Sequence, residues 1–295
     1  VAEYGSRPFA EQVAFFQGKV NLPTRTFRDV QAAANARAFV VAGAMRDDLL
    51  ADFRQVIGKA IESGTTLEEF RKDFDSIVER RGWTGWTGEG SDAGKAWRTR
   101  TIYQTNLRTS YHAGRYKQMK AVAEARPYWR YRHSFASENP RADHQSWDGL
   151  VLRHDDPWWG IHYPPNGWGC GCFVETLAER DLARMGKDGP DQPPTEPDSR
   201  EGVGEGWDYN VGEAAWGRPI SERAWSQAND RAWQPLITDT WQDLGLPEQL
   251  PADSVQAALG PRLSSSADAV AAVRAAIGGQ PERVFSVDAG RFRYP

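Results

Sequence analysis

Three patterns in the amino-acid sequence predict an α+β fold: a helical N-terminal region, a small antiparallel sheet packed on a long helix, and an extended C-terminal tail. Apolar residues recur at helical spacing through the first ninety positions. One long helical pattern then runs from Ala93 to about Ala125. Beyond it, Tyr128 to Phe135 alternates basic and aromatic side chains, the period of two expected of a strand with unlike faces. The corresponding domains are a helical region over 1–90, an α+β domain over 91–188, and a Pro/Gly linker with a tryptophan-rich tail over 189–295.

The chain opens with a helix-like PFAEQVAFFQGKV and breaks at Asn21-Leu22-Pro23. From Phe39 to Glu62 the residues Met45, Leu49, Leu50, Phe53, Val56, Ile57, Ala60 and Ile61 form one wide buried stripe, which Gly64 stops. Thr65 and Thr66, three residues ahead of Glu68 and Glu69, give overlapping capping boxes for a second helix that Gly82 ends. On the long helix, Ile102, Asn106, Thr109, Ala113, Tyr116 and Ala123 share a face. Polar and small groups where a core stripe belongs predict hydrogen bonding to a neighbouring loop or close helix packing. Pro127 closes this helix. Further strands are expected at Gly149–Leu152 and Phe173–Thr176, with a turn at Glu138-Asn139-Pro140, a tryptophan-rich loop over 155–169 and a short helix at Glu179–Met185.

Composition narrows the function. A chain of 295 residues with 40% apolar residues but 13 tryptophans suggests modest cores and aromatic anchoring of partners. A net charge of -4 gives no support for nonspecific nucleic-acid binding by the whole chain. No apolar run is long enough to span a bilayer, and two cysteines one residue apart fit a reducing compartment, so a soluble intracellular protein is expected. A first residue of Val1, not Met, suggests that upstream residues are missing.

Chemistry concentrates in RADHQSWDGLVLRHDDPWWGIHYPPNGWGCGC, from Arg141 to Cys172, which holds both cysteines and three of the five histidines. His144, His162, Cys170 and Cys172 could supply four nitrogen and sulfur ligands to tetrahedral zinc. Against this, structural sites usually space their cysteines more widely, and a Cys-x-Cys chelate is strained. The plainer reading, which we favour, has both cysteines buried as small apolar side chains at the start of a strand. His144 would then bridge Asp148 or a backbone carbonyl. A trio of Cys172, His144 and Asp148 can be written as nucleophile, base and orienting group, but the chain has no nucleophile signature, no phosphate-cradling loop and no His-Glu-x-x-His. No enzyme and no required cofactor is expected. Arg126, Arg130, Arg132, Arg141 and Arg153 could meet DNA phosphate or an acidic surface. The interleaved Glu138, Asp143, Asp155 and Asp156 favour ion pairs instead.

The tail begins with a Pro-, Gly- and acid-rich stretch over 188–206 that reads as extended or flexible. Trp207, Trp216, Trp225, Trp233 and Trp241 then recur every eight or nine residues, and should dock into pockets on this chain or on a partner. A short helix is expected at Ser264–Gly279 and a β-hairpin around Ala289-Gly290. An end inside that strand-like run suggests that something follows Pro295.

Several residues in order carry a family resemblance: Asn106, Thr109, Gly114 and Arg115 on the long helix, then Arg141-x-x-His144, Asp148-Gly149, Pro164-Pro165-Asn166 and Cys170-x-Cys172. With PFAEQVAFF, Leu22 to Thr24, Ala38 to Gly43, the Gly64 to Trp83 passage and GWDYNVG, most of residues 8–215 resembles the phage Mu F-like minor head proteins, the phage head morphogenesis domain. The resemblance implies a minor capsid protein of a tailed phage or phage-derived particle. Its partners would be portal protein and major capsid or scaffold protein, with packaged DNA in reach and no membrane. It would reside in the virion head after assembly in the host cytoplasm, in few copies, and could be ejected with the DNA. Some relatives carry a nuclease-like toxin after this point, so a carrier for a C-terminal effector is one alternative, although no histidine follows residue 190. A zinc-stabilised binding module is another.

Overall fold

A computed structural model describes residues 9–134, 140–243, 286–288 and 291–293, with side-chain surroundings through Ala232. It comprises two compact units, Val1–Gln234 and Pro235–Pro295. The first is α+β, as the sequence patterns predict.

Its helical part holds α1 (Ala10–Gln17), α2 (Ala33–Arg37), α3 (Asp47–Ser63), α4 (Leu67–Arg81) and α5 (Asp92–Ala121). Acidic residues Asp47 and Asp48 sit in the first turn of α3, where they complement the helix dipole, and Gly64 ends it in a left-handed conformation with φ 75°. Of the two possible capping boxes, Thr66 with Glu69 forms the real one at the start of α4. Phe53, Phe70, Phe74, Trp83 and Trp86 meet in edge-to-face and tilted contacts to build the core of this half.

The stripe expected to begin at Phe39 starts later. Ala38–Phe39 is instead a short strand, β2, paired in parallel with β1 (Val20–Asn21). Successive β-branched residues at Val40 and Val41 favour extended backbone, and Gly43 at φ 83° breaks the path before the helix can start.

The sheet has the order β4-β3-β5, with β3 (Tyr128–Arg132) antiparallel to both β4 (Val151–Arg153) and β5 (Phe173–Leu177). Alternation along β3 turns Trp129 and Tyr131 into the main core, while Arg130 and Arg132 line the opposite face. Trp129 packs edge to face on Tyr116 of α5 with centroids 5.6 Å apart, and this contact seats the sheet on the long helix. Short helices α6 (Ala142–Ser146), α7 (Trp159–His162) and α8 (Glu179–Arg184) fill the connections.

The mixed face of α5 is a close-packing face. A Cβ on Gly114 would lie 2.8 Å from the backbone nitrogen of Gln12 in α1, and one on Gly212 would lie 2.1 Å from Tyr116 Cβ. Gln12 Nε2 donates to Ser110 Oγ at 3.1 Å and to Leu107 O at 3.3 Å across the same seam.

After a stretch without regular structure come a π-helical turn at Glu213–Gly217 and α9 (Glu222–Asp243), where the sequence patterns had suggested no helix. In the second unit β6 (Ser286–Asp288) and β7 (Arg291–Arg293) pair antiparallel, as a hairpin about Ala289-Gly290 requires. The helix expected over 264–279 lies outside the described residues, as do the turn residues 138–139.

Gly114→Ala should lower stability by about 1–3 kcal/mol through overpacking against α1, read as the urea midpoint. Gly90→Ala, which would meet nothing within 4 Å, should stay near wild type. Lys19 supplies a pH signature. Its ammonium is buried, donates to the carbonyls of Asn35 and Ala38, and is pushed down to about 7 by burial and then by Arg54. The unfolded chain holds that proton to higher pH, so the contribution of Lys19 to stability is lost as pH falls toward about 7 and grows as pH rises. The stability of wild type relative to Lys19→Met should therefore rise between about pH 7.5 and 9.5 in paired urea titrations.

Candidate functional site: a buried thiol and imidazole cluster

The sheet and its flanking loops bring three potential ligands together and set a fourth, His133, against one of them. Because side chains at 129, 131 and 133 share a face of β3 and its extension, His133 continues the row of Trp129 and Tyr131 into the core. His144 comes from α6, where it stacks on Trp147 with ring centroids 5.3 Å apart. Cys170 and Cys172 lie on the approach to β5, and Arg108 holds that approach by donating to the carbonyls of Gly169 and Cys170 at 2.6 and 3.1 Å. All four are buried.

Their reactive atoms converge. His144 Nδ1 lies 3.7 Å from Cys170 Sγ and 3.6 Å from Cys172 Sγ, and His133 Nδ1 lies 3.5 Å from Cys172 Sγ. The ligand atoms of His144, Cys170 and Cys172 are all within 4.8 Å of one another. The other ring nitrogen of His144, Nε2, is 2.8 Å from Gly202 O. A carbonyl can only accept, so Nε2 carries the hydrogen and a neutral ring turns the Nδ1 lone pair toward the sulfurs. Charge divides unevenly between the thiols. A hydrogen bond from the Cys170 thiol to the Cys172 sulfur, together with burial, raises Cys170, and the same bond lowers Cys172.

This arrangement can hold a proton or a small cation. A cleft of about 500 Å³ beside Arg126 and Arg184 and a groove of about 490 Å³ between Phe27, Trp97 and Trp168 are lined by other residues. His162, expected as a fourth ligand, is not brought to the thiols. It stacks on Trp158 with centroids 4.3 Å apart and 5° between planes, and its Nδ1 faces Trp158 O at 3.2 Å. His133, not His162, is the second histidine whose ring nitrogen lies against a thiol. Period-2 alternation could have found it, since it is the next inward position after Tyr131.

The other motif residues support the cluster. Asn166 is fully buried: Oδ1 accepts from Tyr131 OH at 3.1 Å, Nδ2 donates to Ile161 O and Tyr163 O at 3.3 and 3.4 Å, and its carbonyl accepts from Gly204 N at 2.9 Å. It follows a cis peptide between Pro164 and Pro165. Asp148 accepts from His133 N at 2.9 Å and Arg132 Nε at 3.0 Å; partial burial opposes its charge, but these donors hold its carboxyl below the usual range. Gly149 takes φ 89° in the turn that leads into β4. Arg141 precedes α6 and donates to Trp168 O at 2.9 Å. Asn106 bonds within α5 to Ile102 O at 2.9 Å, and Arg115 reaches Gln118 at 2.7 Å, so neither joins the thiols.

Four of the five arginines expected as a basic patch are engaged by this chain's own carboxylates. Arg132 meets Asp148, Arg153 meets Asp155 at 3.0 Å, Arg126 meets Asp181 at 3.3 Å, and Arg130 pairs with Glu175. Of the tail tryptophans, Trp207 packs edge to face on Trp168, Trp216 Nε1 donates to Ala113 O at 2.8 Å, and Trp225 is buried beneath Arg37. These three dock on the chain itself. Trp233 and Trp241 lie on α9, with side chains outside the described residues.

Replacing Asn166 by Ala would leave the Tyr131 hydroxyl and two buried carbonyls short of partners. The expected loss is about 2–4 kcal/mol in urea unfolding, against less than about 1 kcal/mol for an exposed asparagine.

Comparison with known proteins finds relatives of this chain. Residues 51–175 match the family described as Phage Mu protein F like protein. Over 192 residues the chain is 37% identical to the putative capsid assembly protein F of Escherichia phage Mu, covering 62% of this chain and 44% of that protein. Over 265 residues it is 33% identical to the Mu-like prophage FluMu F protein of Haemophilus influenzae, covering 79% of this chain and 64% of that protein. The chain thus spans less than two thirds of the length of either relative. No solved structure matches it. The matched stretch runs from within α3 to within β5 and contains His133, His144, Cys170 and Cys172. Over this stretch the chain is thus similar to the phage Mu F-like family.

Proposed function

We propose that this chain is a minor head protein of a tailed phage or phage-derived particle and acts in head morphogenesis. The observation that carries the reading is its 37% identity over 192 residues to a protein named for capsid assembly. Two structural features support a binding role. The cluster of His133, His144, Cys170 and Cys172 is buried, and Trp207 and Trp216 of the tail brace the first unit. No helix among the described residues is long and apolar enough to cross a membrane.

Its partners in this reading are the portal protein and the major capsid or scaffold protein, met in the host cytoplasm during assembly. It then remains in the virion head in few copies, and ejection with the DNA belongs to the same proposal. Internal pairing of the sheet arginines favours protein contacts over direct phosphate contacts.

Deleting the gene from a particle-producing host should abolish DNA-filled heads, and complementation in trans should restore them. Mass spectrometry of purified particles should find this chain at low copy relative to the major capsid protein. Normal filled heads in the deletion strain, together with absence of the chain from wild-type particles, would refute the proposal.

A further inference from the structure

We propose that Cys170, Cys172, His144 and His133 form a structural zinc site that staples the end of β3, helix α6 and the approach to β5. A tetrahedral zinc, with Zn–S of about 2.3 Å and Zn–N of about 2.0–2.1 Å, sets sulfur and nitrogen ligands about 3.5–3.6 Å apart. The three sulfur–nitrogen separations here are 3.5, 3.6 and 3.7 Å. Three sides of a coordination tetrahedron are therefore present at nearly their final lengths. His133 touches Cys172 but stands outside the three-residue group, so as the fourth ligand it closes onto the ion by a shift of its ring.

Hydrogen bonding between thiols and rings accounts for the cluster less well. With Nε2 donating to Gly202 O, a neutral His144 has a single Nδ1 lone pair, and two sulfurs face it at almost equal distance. A cation between the three atoms uses that lone pair and both sulfurs together. The bond from Nε2 to a backbone carbonyl is also the outer-shell contact that orients metal-bound histidines. It is built in tightly: a Cβ on Gly202 would lie 2.4 Å from Trp147, so only glycine lets this carbonyl approach.

Charge and ligand type agree. Two thiolates and Zn²⁺ sum to zero, which suits a pocket walled by Tyr131 and Trp147, whereas a bare thiolate pair there would repel. Two sulfurs and two imidazoles without a carboxylate favour zinc over magnesium, calcium or manganese. A one-residue Cys spacing no longer counts against chelation, because both sulfurs already lie in one ligand group with His144.

The full chain, expressed in zinc-supplemented medium and purified without chelator, should carry one zinc per chain by elemental analysis. Cobalt exchanged into the site should give the intense visible bands of tetrahedral Co²⁺ with thiolate charge transfer. Cys170→Ser/Cys172→Ser should lose the metal, and His133→Ala should weaken its retention, while His162→Gln should keep it fully. Should the cysteine variants fail to fold, wild type decides alone: mercurial titration of the two thiols should release one equivalent of zinc to a chromogenic chelator. Substoichiometric zinc after dialysis against zinc, with no cobalt charge-transfer band, would overturn the proposal, as would equal loss of metal in the His162 variant. None of these readouts involves particle assembly, so failure of the head-protein reading would leave the metal result intact.

Discussion

The amide of Asn166 is the constraint on which the central domain depends. One fully buried side chain joins β3 through Tyr131, the α7 loop through Ile161 and Tyr163, and its own backbone receives the 199–207 segment at Gly204. Loops can be buried only where their backbone groups find partners, and here a single residue supplies several. With the loop fixed, Trp147, Trp158, Trp159 and Tyr163 can close around Trp129 and Tyr131 in mostly edge-to-face contacts. The thiol and imidazole cluster occupies the rim of this aromatic core. Its geometry is therefore inherited from the loop and does not rest on the cysteines alone.

A second constraint comes from α5. A 30-residue helix carrying a conventional apolar stripe would hold the sheet but keep its other neighbours a full side chain away. Glycine and serine at 114 and 110 instead admit α1, and Tyr116 is met by the backbone of Gly212. Buried His112 belongs to this face too, with burial pushing its ring down to about 3 and its carbonyl accepting from Tyr163 OH at 3.0 Å. Small residues bring backbones close, and polar ones satisfy the groups that closeness buries.

These relations explain what could be read in advance. The helices α3, α4 and α5 and the strands of the sheet follow from periodicity and capping, which are local properties. Phe39 was misplaced because a buried extended run and a helical stripe look alike over so few residues, and only Gly43 marks the break. The cysteines and His144 were legible as a cluster because they crowd one stretch of sequence. His133 was not, because its partners lie 39 residues away and only strand alternation points it inward. For α9, tryptophans at intervals of eight or nine in polar sequence suggested anchors on an extended chain, and Trp225 is indeed an anchor, but one carried on a helix.

The stretch from 188 to 217 shows why composition misleads here. Its proline, glycine and acidic content is that of a flexible linker, because such residues bury little apolar surface of their own. Yet Asp191 N donates to Val151 O at 2.7 Å, Thr195 accepts from Trp158 Nε1 at 3.0 Å, Gly202 meets His144, and Asn210 donates to Trp159 O at 3.1 Å. A strap of this kind needs no core, since the preceding loop supplies the aromatic surface and the indole and imidazole N–H groups that seek acceptors. Glycine at 202 and 212 serves approach, not mobility: an added Cβ would collide with Trp147 in one case and Tyr116 in the other. The tryptophan excess and the glycine-rich tail are thus two halves of one design, in which large rings in one segment are covered by the thin backbone of the next.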